Sequence, residues 1–335
     1  MIIADARPNH RTNRRLAFLW FGHPASTKPF AGLRIGVALI ALFQAYLAFP
    51  YLKDFVGSSA IIQPEVARFF VHPALPNLNG LLSWCTERGM TLEIALSVIW
   101  GGWIFLLLLL LAGCGTRAVG WLVWLAHLAI KTSGAAASYG VSEFLNILFF
   151  YTALGPAGEL WSIDALRRRR HRIWAWEAGL ILRVMRLHLC AVYLSSGIEK
   201  ALAQEWWNGE AFWRALAHED RFWVVPYVLA MPWLLKLMGW WTLAVEIGYT
   251  PMTAWRRTRW LWLAQAAMLH LGIAIFLNLW LFSAAMILFN AVVFPALWER
   301  QMWTRARSGA VAFLDRVRNP WRFARNFLAQ PTPPK

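Results

Sequence analysis

Long apolar segments separated by short polar stretches dominate this chain of 335 residues. The most extreme stretch, "GGWIFLLLLLLAGCG", contains no charged residue. A helix that crosses a membrane needs about 20 consecutive, mostly apolar residues. On that criterion the pattern predicts an all-α protein, a polytopic helical membrane protein with about eight transmembrane helices. The predicted spans are 31–50, 92–113, 118–138, 143–157, 178–199, 235–253, 260–278 and 280–298.

One further apolar segment, "VVPYVLAMPW", precedes the sixth predicted span and contains Pro226 and Pro232. Because proline removes a helical hydrogen bond, we expect this segment to be re-entrant or interfacial rather than spanning. The seventh and eighth spans are predicted to join tightly at "NLW".

Basic residues lie between the apolar segments, and Lys and Arg total 33 against 17 Asp and Glu. Arg7, Arg11, Arg14 and Arg15 precede the first span, and "RRRRHR" and "RRTR" follow the fourth and sixth spans. Cytoplasmic loops are enriched in Lys and Arg, so eight spans with both termini cytoplasmic are predicted. This arrangement indicates the lipid bilayer as partner and argues against nucleic acid.

Three regions follow from this topology. Residues 1–29 form a basic cytoplasmic segment, 30–298 the transmembrane domain, and 299–335 a basic amphipathic cytoplasmic tail. In the tail, apolar residues recur at helical spacing among arginines, which predicts a helix on the cytoplasmic leaflet.

Ionisable side chains inside the predicted spans are candidate functional groups, because each is costly in lipid unless it is paired or hydrated. For several of them a purely structural interpretation is open. For Lys131 and Glu143 it is a salt bridge between adjacent helices, and for His127 it is a hydrogen-bonded position in the core. For Arg34, the structural interpretation is an ion pair with a carboxylate such as Glu246, which would hold two helices together.

The fifth predicted span carries two polar stripes, since residues three or four apart share a helix face. Tyr193, Ser196 and Lys200 form one stripe. His188, Ser195 and Glu199 form the next. These stripes fit either contacts between helices or the wall of an outward-facing cavity, and Gly197 permits close approach of a helix or a flat ligand.

Lys200 is the candidate general base of such a cavity, because a dry environment disfavours the charged form of a lysine. His270 and Glu246 lie near the middle of consecutive spans, where a buried acid–base pair or a helix–helix hydrogen bond are the open interpretations. Thr242 and Thr250 lie four residues either side of Glu246 and are predicted to bond it. The cysteines form no metal-binding spacing, so no metal is expected.

Five stretches together resemble a known family. They are "PASTKPFAGLRIGVALIAL", "LAGCGTRAVGW", "ELWSIDAL", "VYLSSGIEKALAQEWWNGEAF" and "MLHLGIAIFLNLWLFSAAMILF". In this order they resemble the HTTM (horizontally transferred transmembrane) domain, the membrane half of vitamin K-dependent γ-carboxylase. The resemblance covers about residues 15–298.

The resemblance implies a reduced quinone as cofactor and a catalytic role for Lys200 and His270. In the carboxylase, the lysine of Gly-x-x-Lys deprotonates reduced vitamin K, which then reacts with oxygen. Carried onto this chain, Lys200 is the base and His270 a pocket histidine, with Tyr193, Ser196, Glu199 and Glu246 as cofactor-binding candidates.

Two features depart from the carboxylase. It has a histidine just before its fourth helix, where this chain reads "ASYGVSEF", and it has a large C-terminal domain that handles its protein substrate. The sporulation-delaying toxin maturation proteins, another branch, are membrane-only. The expected function is thus a carboxylase-like or peptide-maturation enzyme of the bacterial inner membrane. It would act on a secreted peptide or protein, with an accessory protein. The alternative is a non-enzymatic transport or assembly protein for a secreted peptide.

Overall fold

The computed structural model describes residues 24–56, 60, 66, 75–134, 139–168, 172–217 and 225–298. Within these ranges the architecture is helical apart from two short antiparallel strands, β1 (Ala25–Ser26) and β2 (Trp174–Ala175). Ala25 pairs with Ala175 in this ladder, which places the start of the first helix beside the start of the central one.

Eight helices of 14 residues or more lie in the described part of the chain. They are α1 (Lys28–Ala48), α4 (Leu92–Ala112), α5 (Thr116–Ser133), α6 (Gly140–Leu154), α8 (Trp176–Leu202), α12 (Pro232–Ala254), α13 (Arg259–Phe276) and α14 (Trp280–Val293). Shorter helices connect them: α2 (Leu52–Phe55), α3 (Asn79–Glu87), α7 (Ile163–Arg167), α9 (Gln204–Asn208), α10 (Glu210–Ala217) and α11 (Val225–Leu229). A 3-10 turn covers Phe49–Tyr51.

Among the residues that the structure describes, four helical segments are both long and apolar enough to cross a membrane: Lys28–Phe55, Leu92–Ala112, Trp176–Leu202 and Arg259–Phe276. Gly140–Leu154 and Trp280–Val293 are apolar but shorter. The eight long helices coincide with the eight predicted segments, while eight spans and the location of the termini stay predictions. The Pro-containing segment forms only the five-residue helix α11, and Pro232 begins α12.

Helix α1 lies at the centre of the bundle, because it packs against α4, α6 and α14. Its side chains Phe30 and Leu33 are fully buried, as are Phe149 of α6 and Phe289 of α14. Helix α8 packs mainly on α12, and α12 packs in turn on α13. The candidate site lies in this second group of helices.

Arg34 has a different partner from the one predicted. Its guanidinium is fully buried and donates to the carbonyls of Leu110 (3.0 Å), Leu111 (2.9 Å) and Trp161. The last carbonyls of a helix have no partner within the helix, so Arg34 supplies donors to the end of α4. The prediction that Arg34 pairs with Glu246 is wrong, since Glu246 bonds a lysine instead.

The backbone N–H groups at the start of α5 also find a hydrogen-bond partner in the segment that follows α6. Asp164 accepts from the backbone N–H groups of Gly115 (2.9 Å), the residue before α5, and Thr116 (2.7 Å), its first residue. Gly113 ends α4 with φ 70°, and an added Cβ there would collide with Arg34 and Ser162. The sequence stretches "LAGCGTRAVGW" and "ELWSIDAL" therefore form one joint between α4 and α5.

Beyond Val293 the described residues form part of a separate unit, in which a 3-10 turn covers Pro295–Trp298. The N-terminal arginines at 7–15, the centre of "RRRRHR" at 169–171 and the predicted tail 299–335 lie outside the described residues.

Candidate functional site

A cavity of about 420 Å³ lies between α8, α10, α12, α13 and α14. Most of its wall is apolar or aromatic, including Phe144, Trp241 and Phe282. Its polar lining is limited to a few side chains: Tyr193, Ser196, Lys200, Thr242, Glu246 and His270. Ligand sites typically combine apolar walls with a few convergent polar groups, so this cavity is the candidate functional site.

Lys200 forms an ion pair across the cavity wall. Its Nζ lies 2.9 Å and 3.1 Å from the two carboxylate oxygens of Glu246, and it also donates to the Ser196 hydroxyl. The Lys200 side chain is 22% exposed and that of Glu246 is 9% exposed. The amine is thus held by a carboxylate on another helix while it lines an open cavity.

Gly197 explains how Glu246 comes so close. A Cβ added at Gly197 would lie 2.8 Å from Ile247 Cγ1 and 3.0 Å from the Ile247 backbone nitrogen. Because glycine lacks this atom, α8 and α12 cross in close contact one turn before Lys200. This close crossing brings Glu246, the neighbour of Ile247, into contact with the Lys200 amine.

Trp206 covers the lysine from the connection after α8. Nζ of Lys200 lies 5.2 Å from the centre of the Trp206 ring, within the range of a cation–π interaction. The same tryptophan lines the cavity. The cavity is closed nearby by Phe212, Leu216 and Phe276, which pack together.

His270 belongs to a chain of hydrogen bonds at the buried side of the cavity. Its Nε2 lies 2.8 Å from the Tyr193 hydroxyl, which also accepts from Asn290 Nδ2 at 2.9 Å. Asn290 Nδ2 donates to the Met286 carbonyl at 2.9 Å, and Asn290 Oδ1 accepts from the Tyr249 hydroxyl at 2.6 Å. The rings of Tyr193 and Tyr249 stack with centroids 4.0 Å apart.

The two polar stripes of α8 have different surroundings. Tyr193, Ser196 and Lys200 all line the cavity. Of the other stripe, Glu199 is exposed and does not line it. His188 bonds the Tyr151 hydroxyl at 3.0 Å instead. One stripe is therefore the cavity wall, and the other faces elsewhere.

The predicted partners of Glu246 on its own helix bond backbone groups instead. Thr242 donates to the Met238 carbonyl and Thr250 to the Cys190 carbonyl. His270 and Glu246 line the same cavity, but their hydrogen bonds run to Tyr193 and Lys200 respectively. The predicted local bonding of Glu246 by threonines is thus wrong.

Two other polar features of the long helices match their structural interpretations. Lys131 Nζ and Glu143 Oε2 form a salt bridge of 2.6 Å between α5 and α6. His127 is buried, and its Nε2 lies 3.1 Å from the Ser142 carbonyl. Neither residue pair lines the cavity.

Sequence reasoning missed Asn290 and Tyr249. The usable signal was a lone amide in the apolar stretch "SAAMILFNAVV", because a polar group deep in an apolar helix must find a partner. Tyr249 gave a weaker signal, since tyrosine packs readily in apolar surroundings without a defined partner.

Outside the long helices, Glu159 forms a second polar cluster near the joint of α4 and α5. It bonds Arg168 Nη1 at 2.8 Å and Arg172 Nη2 at 3.3 Å, and accepts from the Arg172 backbone N–H at 3.3 Å. Burial alone would raise the pKa of Glu159, but these hydrogen bonds and the arginine charges lower it below the ordinary value. The pKa of Asp164 is lowered in the same way. Burial alone would raise this pKa, but hydrogen bonds from Thr116 and Gly115 lower it below the ordinary value.

Among the described residues, no group of three or more His, Cys, Asp or Glu side chains lies close enough to hold a metal ion. Cys85, Cys114 and Cys190 have free thiols. The cavity itself presents an amine, a carboxylate, hydroxyl groups and an imidazole.

A family model, that of the HTTM domain, matches residues 81–298, which is more than half of the chain. The chain belongs to the HTTM domain family. The matched range of the HTTM domain contains Lys200, Glu246, His270 and Asn290, and it excludes Arg34. No curated protein and no solved structure matches the chain. Family membership and the apolar helices together show an integral membrane protein.

Proposed function

We propose that this HTTM protein is a membrane-embedded enzyme that uses a reduced quinone, or a similar lipid cofactor, to modify or mature a peptide on the outer side of the membrane. The observation that supports the proposal is the position of the Lys200 amine, which lines an apolar cavity in contact with Glu246. The secreted peptide, an accessory protein and a bacterial inner-membrane location belong to the same proposal.

The residues present fit a flat apolar ligand that carries oxygen atoms. The volume of about 420 Å³ lies within the usual range of ligand cavities. Apolar and aromatic walls suit a ring system, and the buried Nδ1 of His270 is left without a hydrogen-bond partner. Met268 lines the cavity and is 58% exposed, and we propose that a lipid-soluble ligand enters beside it from the bilayer.

In the proposed reaction, Lys200 takes the proton of a ligand hydroxyl. A reduced quinone, when bound, would supply such a hydroxyl and the reducing power for chemistry with oxygen. The paired ammonium has no lone pair, so one proton must first leave Nζ. Glu246 is in direct contact to accept it. Filling the cavity excludes water and favours this uncharged pair, because desolvation disfavours both charged forms. The neutral amine then accepts the hydroxyl proton while Glu246 holds the first.

The test is oxygen-dependent oxidation of a soluble naphthoquinol by the protein reconstituted in nanodiscs. General base catalysis contributes about 100- to 10,000-fold, so Lys200→Ala should lower the rate by at least about 100-fold. Lys131→Ala is the matched control, because Lys131 is also a membrane lysine in an ion pair but lies outside the cavity. A Lys200→Ala protein with the full wild-type rate would show that this amine is not the base.

The alternative is a non-enzymatic transport or assembly protein for a secreted peptide. The ion pair itself favours it, because Lys200 and Glu246 satisfy each other and fasten α8 to α12 without any ligand. The double variant Lys200→Met with Glu246→Leu separates the two functions. An assembly protein keeps its cellular activity when the pair is replaced by apolar side chains, whereas an enzyme that needs the amine loses it.

A further inference from the structure

The hydrogen-bond chain beside the cavity has a direction that the backbone fixes. Asn290 Nδ2 lies 2.9 Å from the Met286 carbonyl, which only accepts hydrogen bonds. The nitrogen of the Asn290 amide must therefore face Met286 and Tyr193, and its oxygen must face Tyr249. The Tyr249 hydroxyl donates to that oxygen, and the second N–H of Asn290 donates to the Tyr193 hydroxyl.

The Tyr193 hydroxyl accepts from Asn290, so its own hydrogen is free to be donated. The only other polar contact of this hydroxyl among the described residues is His270 Nε2 at 2.8 Å. If Nε2 carried a hydrogen, the Tyr193 hydrogen would be buried without an acceptor, which is energetically unfavourable. Nε2 is therefore the acceptor, and the neutral ring carries its hydrogen on Nδ1.

The hydrogen on Nδ1 has no acceptor in the described part of the protein. His270 is 3% exposed, and its Nδ1 is buried without a hydrogen-bond partner. The same side chain lines the cavity. A buried donor left open in this way is costly unless a ligand supplies the acceptor.

We propose that His270 presents an N–H donor to the cavity and binds an acceptor oxygen of the ligand, a carbonyl or a deprotonated hydroxyl, while Tyr193, Asn290 and Tyr249 act as positioning residues that hold it in this tautomer. In this role His270 is a fixed donor rather than a second base. Lys200 and His270 line the same cavity, so one ligand would contact both side chains. The identity of the ligand class rests on the proposed function, whereas the tautomer does not.

The tautomer is tested first, without ligand, in the full chain. The protein is labelled with ¹⁵N-histidine and placed in nanodiscs, and the His270 signal among eight histidines is assigned by its loss in His270→Gln. Two-bond ¹H–¹⁵N correlations distinguish the tautomers. We expect the Nδ1–H pattern in the wild type. An Nε2–H pattern would overturn the inference whatever the cavity binds.

Variants of the positioning residues should change the tautomer pattern of His270, which a merely structural role for these residues would leave unchanged. Tyr193→Phe removes the hydrogen that Nε2 accepts, and Asn290→Leu frees the Tyr193 hydroxyl to accept from the ring, so both should shift the signal toward Nε2–H. Tyr151→Phe is the matched control, because Tyr151 bonds His188 instead. A shift of equal size in the control would contradict the claim that this hydrogen-bond chain fixes the tautomer of His270.

The ligand part is tested with two rings of one shape, 1,4-naphthoquinone and naphthalene. One hydrogen bond to a carbonyl oxygen contributes about 0.5–1.5 kcal/mol, so the wild type should bind the quinone about 2- to 13-fold more tightly after correction for partition into the bilayer. His270→Phe should lose this preference. Equal binding of the two rings by a protein with the Nδ1–H pattern would refute the ligand assignment and leave the tautomer standing.

Discussion

Glu246→Gln gives the sharpest test of the ion pair in the cavity wall. The substitution keeps the shape of the side chain but leaves the Lys200 ammonium facing a neutral amide. Unit charges 2.9 Å apart attract each other by about 6 kcal/mol at an effective dielectric constant of about 20. Desolvation of both groups offsets much of that attraction, and breaking a fully buried pair costs about 3–5 kcal/mol.

The exposure of Lys200 reduces the expected cost further. Its side chain is 22% exposed, so the pair lies between the buried case and the exposed case, where measured values are about 0.2–1 kcal/mol. We therefore expect Glu246→Gln to lower the free energy of unfolding by about 2–4 kcal/mol. Unfolding by sodium dodecyl sulfate in mixed micelles, followed by tryptophan fluorescence, measures this difference.

The protein contains its own control for this experiment. Lys131 and Glu143 form a pair of the same chemistry at 2.6 Å, but the Glu143 side chain is 56% exposed. Glu143→Gln should therefore cost no more than about 1 kcal/mol. If Glu246→Gln costs as little as Glu143→Gln, the Lys200–Glu246 pair is well solvated and the dry cavity on which the base mechanism depends does not exist.

Three further predictions concern stability. Arg34→Met should cost about 3 kcal/mol or more in the same unfolding assay, because it leaves buried carbonyls without donors; a cost below about 1 kcal/mol would contradict the role of Arg34 at the end of α4. Gly197→Ala should cost about 1–3 kcal/mol through its clash with Ile247, whereas Gly101→Ala, with nothing within 4 Å, should not destabilise. Glu159→Gln should make the apparent melting temperature less sensitive to acid between about pH 6 and pH 3.

The sign of the acid effect follows from the lowered pKa of Glu159. A carboxyl group whose pKa is lower in the folded state stabilises the fold above its ordinary pKa, and that stabilisation is lost as the pH falls through the folded value. The exposed Glu93, which pairs with Lys53 at 3.6 Å, provides the control variant Glu93→Gln. Equal acid sensitivity of wild type and Glu159→Gln would contradict the assignment.

The positions of the helices were predictable because each needs a long apolar run that the sequence shows directly. The segment predicted at 92–113 forms Leu92–Ala112, and the tight link predicted at "NLW" is confirmed as a three-residue connection, "LNL" at 277–279, after which Trp280 begins α14. The stripe of Tyr193, Ser196 and Lys200 was also predictable, since helical periodicity alone places these residues on one face.

The partners of buried groups were not predictable, because they lie on helices that are distant in sequence. Arg34 bonds carbonyls more than 70 residues away, and Lys200 bonds a carboxylate 46 residues away. Periodicity placed Glu199 on a polar stripe but could not say which stripe faces the cavity. That choice is made by Gly197, whose missing Cβ sets where α12 crosses α8.

Binding of a naphthoquinone to the protein in nanodiscs tests the central claim most directly, since Trp206 and Trp241 in the cavity wall report its arrival by fluorescence quenching. Gly272 also lies in the wall, and a Cβ there meets nothing within 4 Å, so Gly272→Leu is expected to narrow the cavity. Gly101→Leu is the control, because Gly101 is equally open but lies outside the cavity wall. The account predicts saturable quenching in the wild type and in Gly101→Leu that is lost in Gly272→Leu. Identical, non-saturable quenching in all three proteins would contradict it.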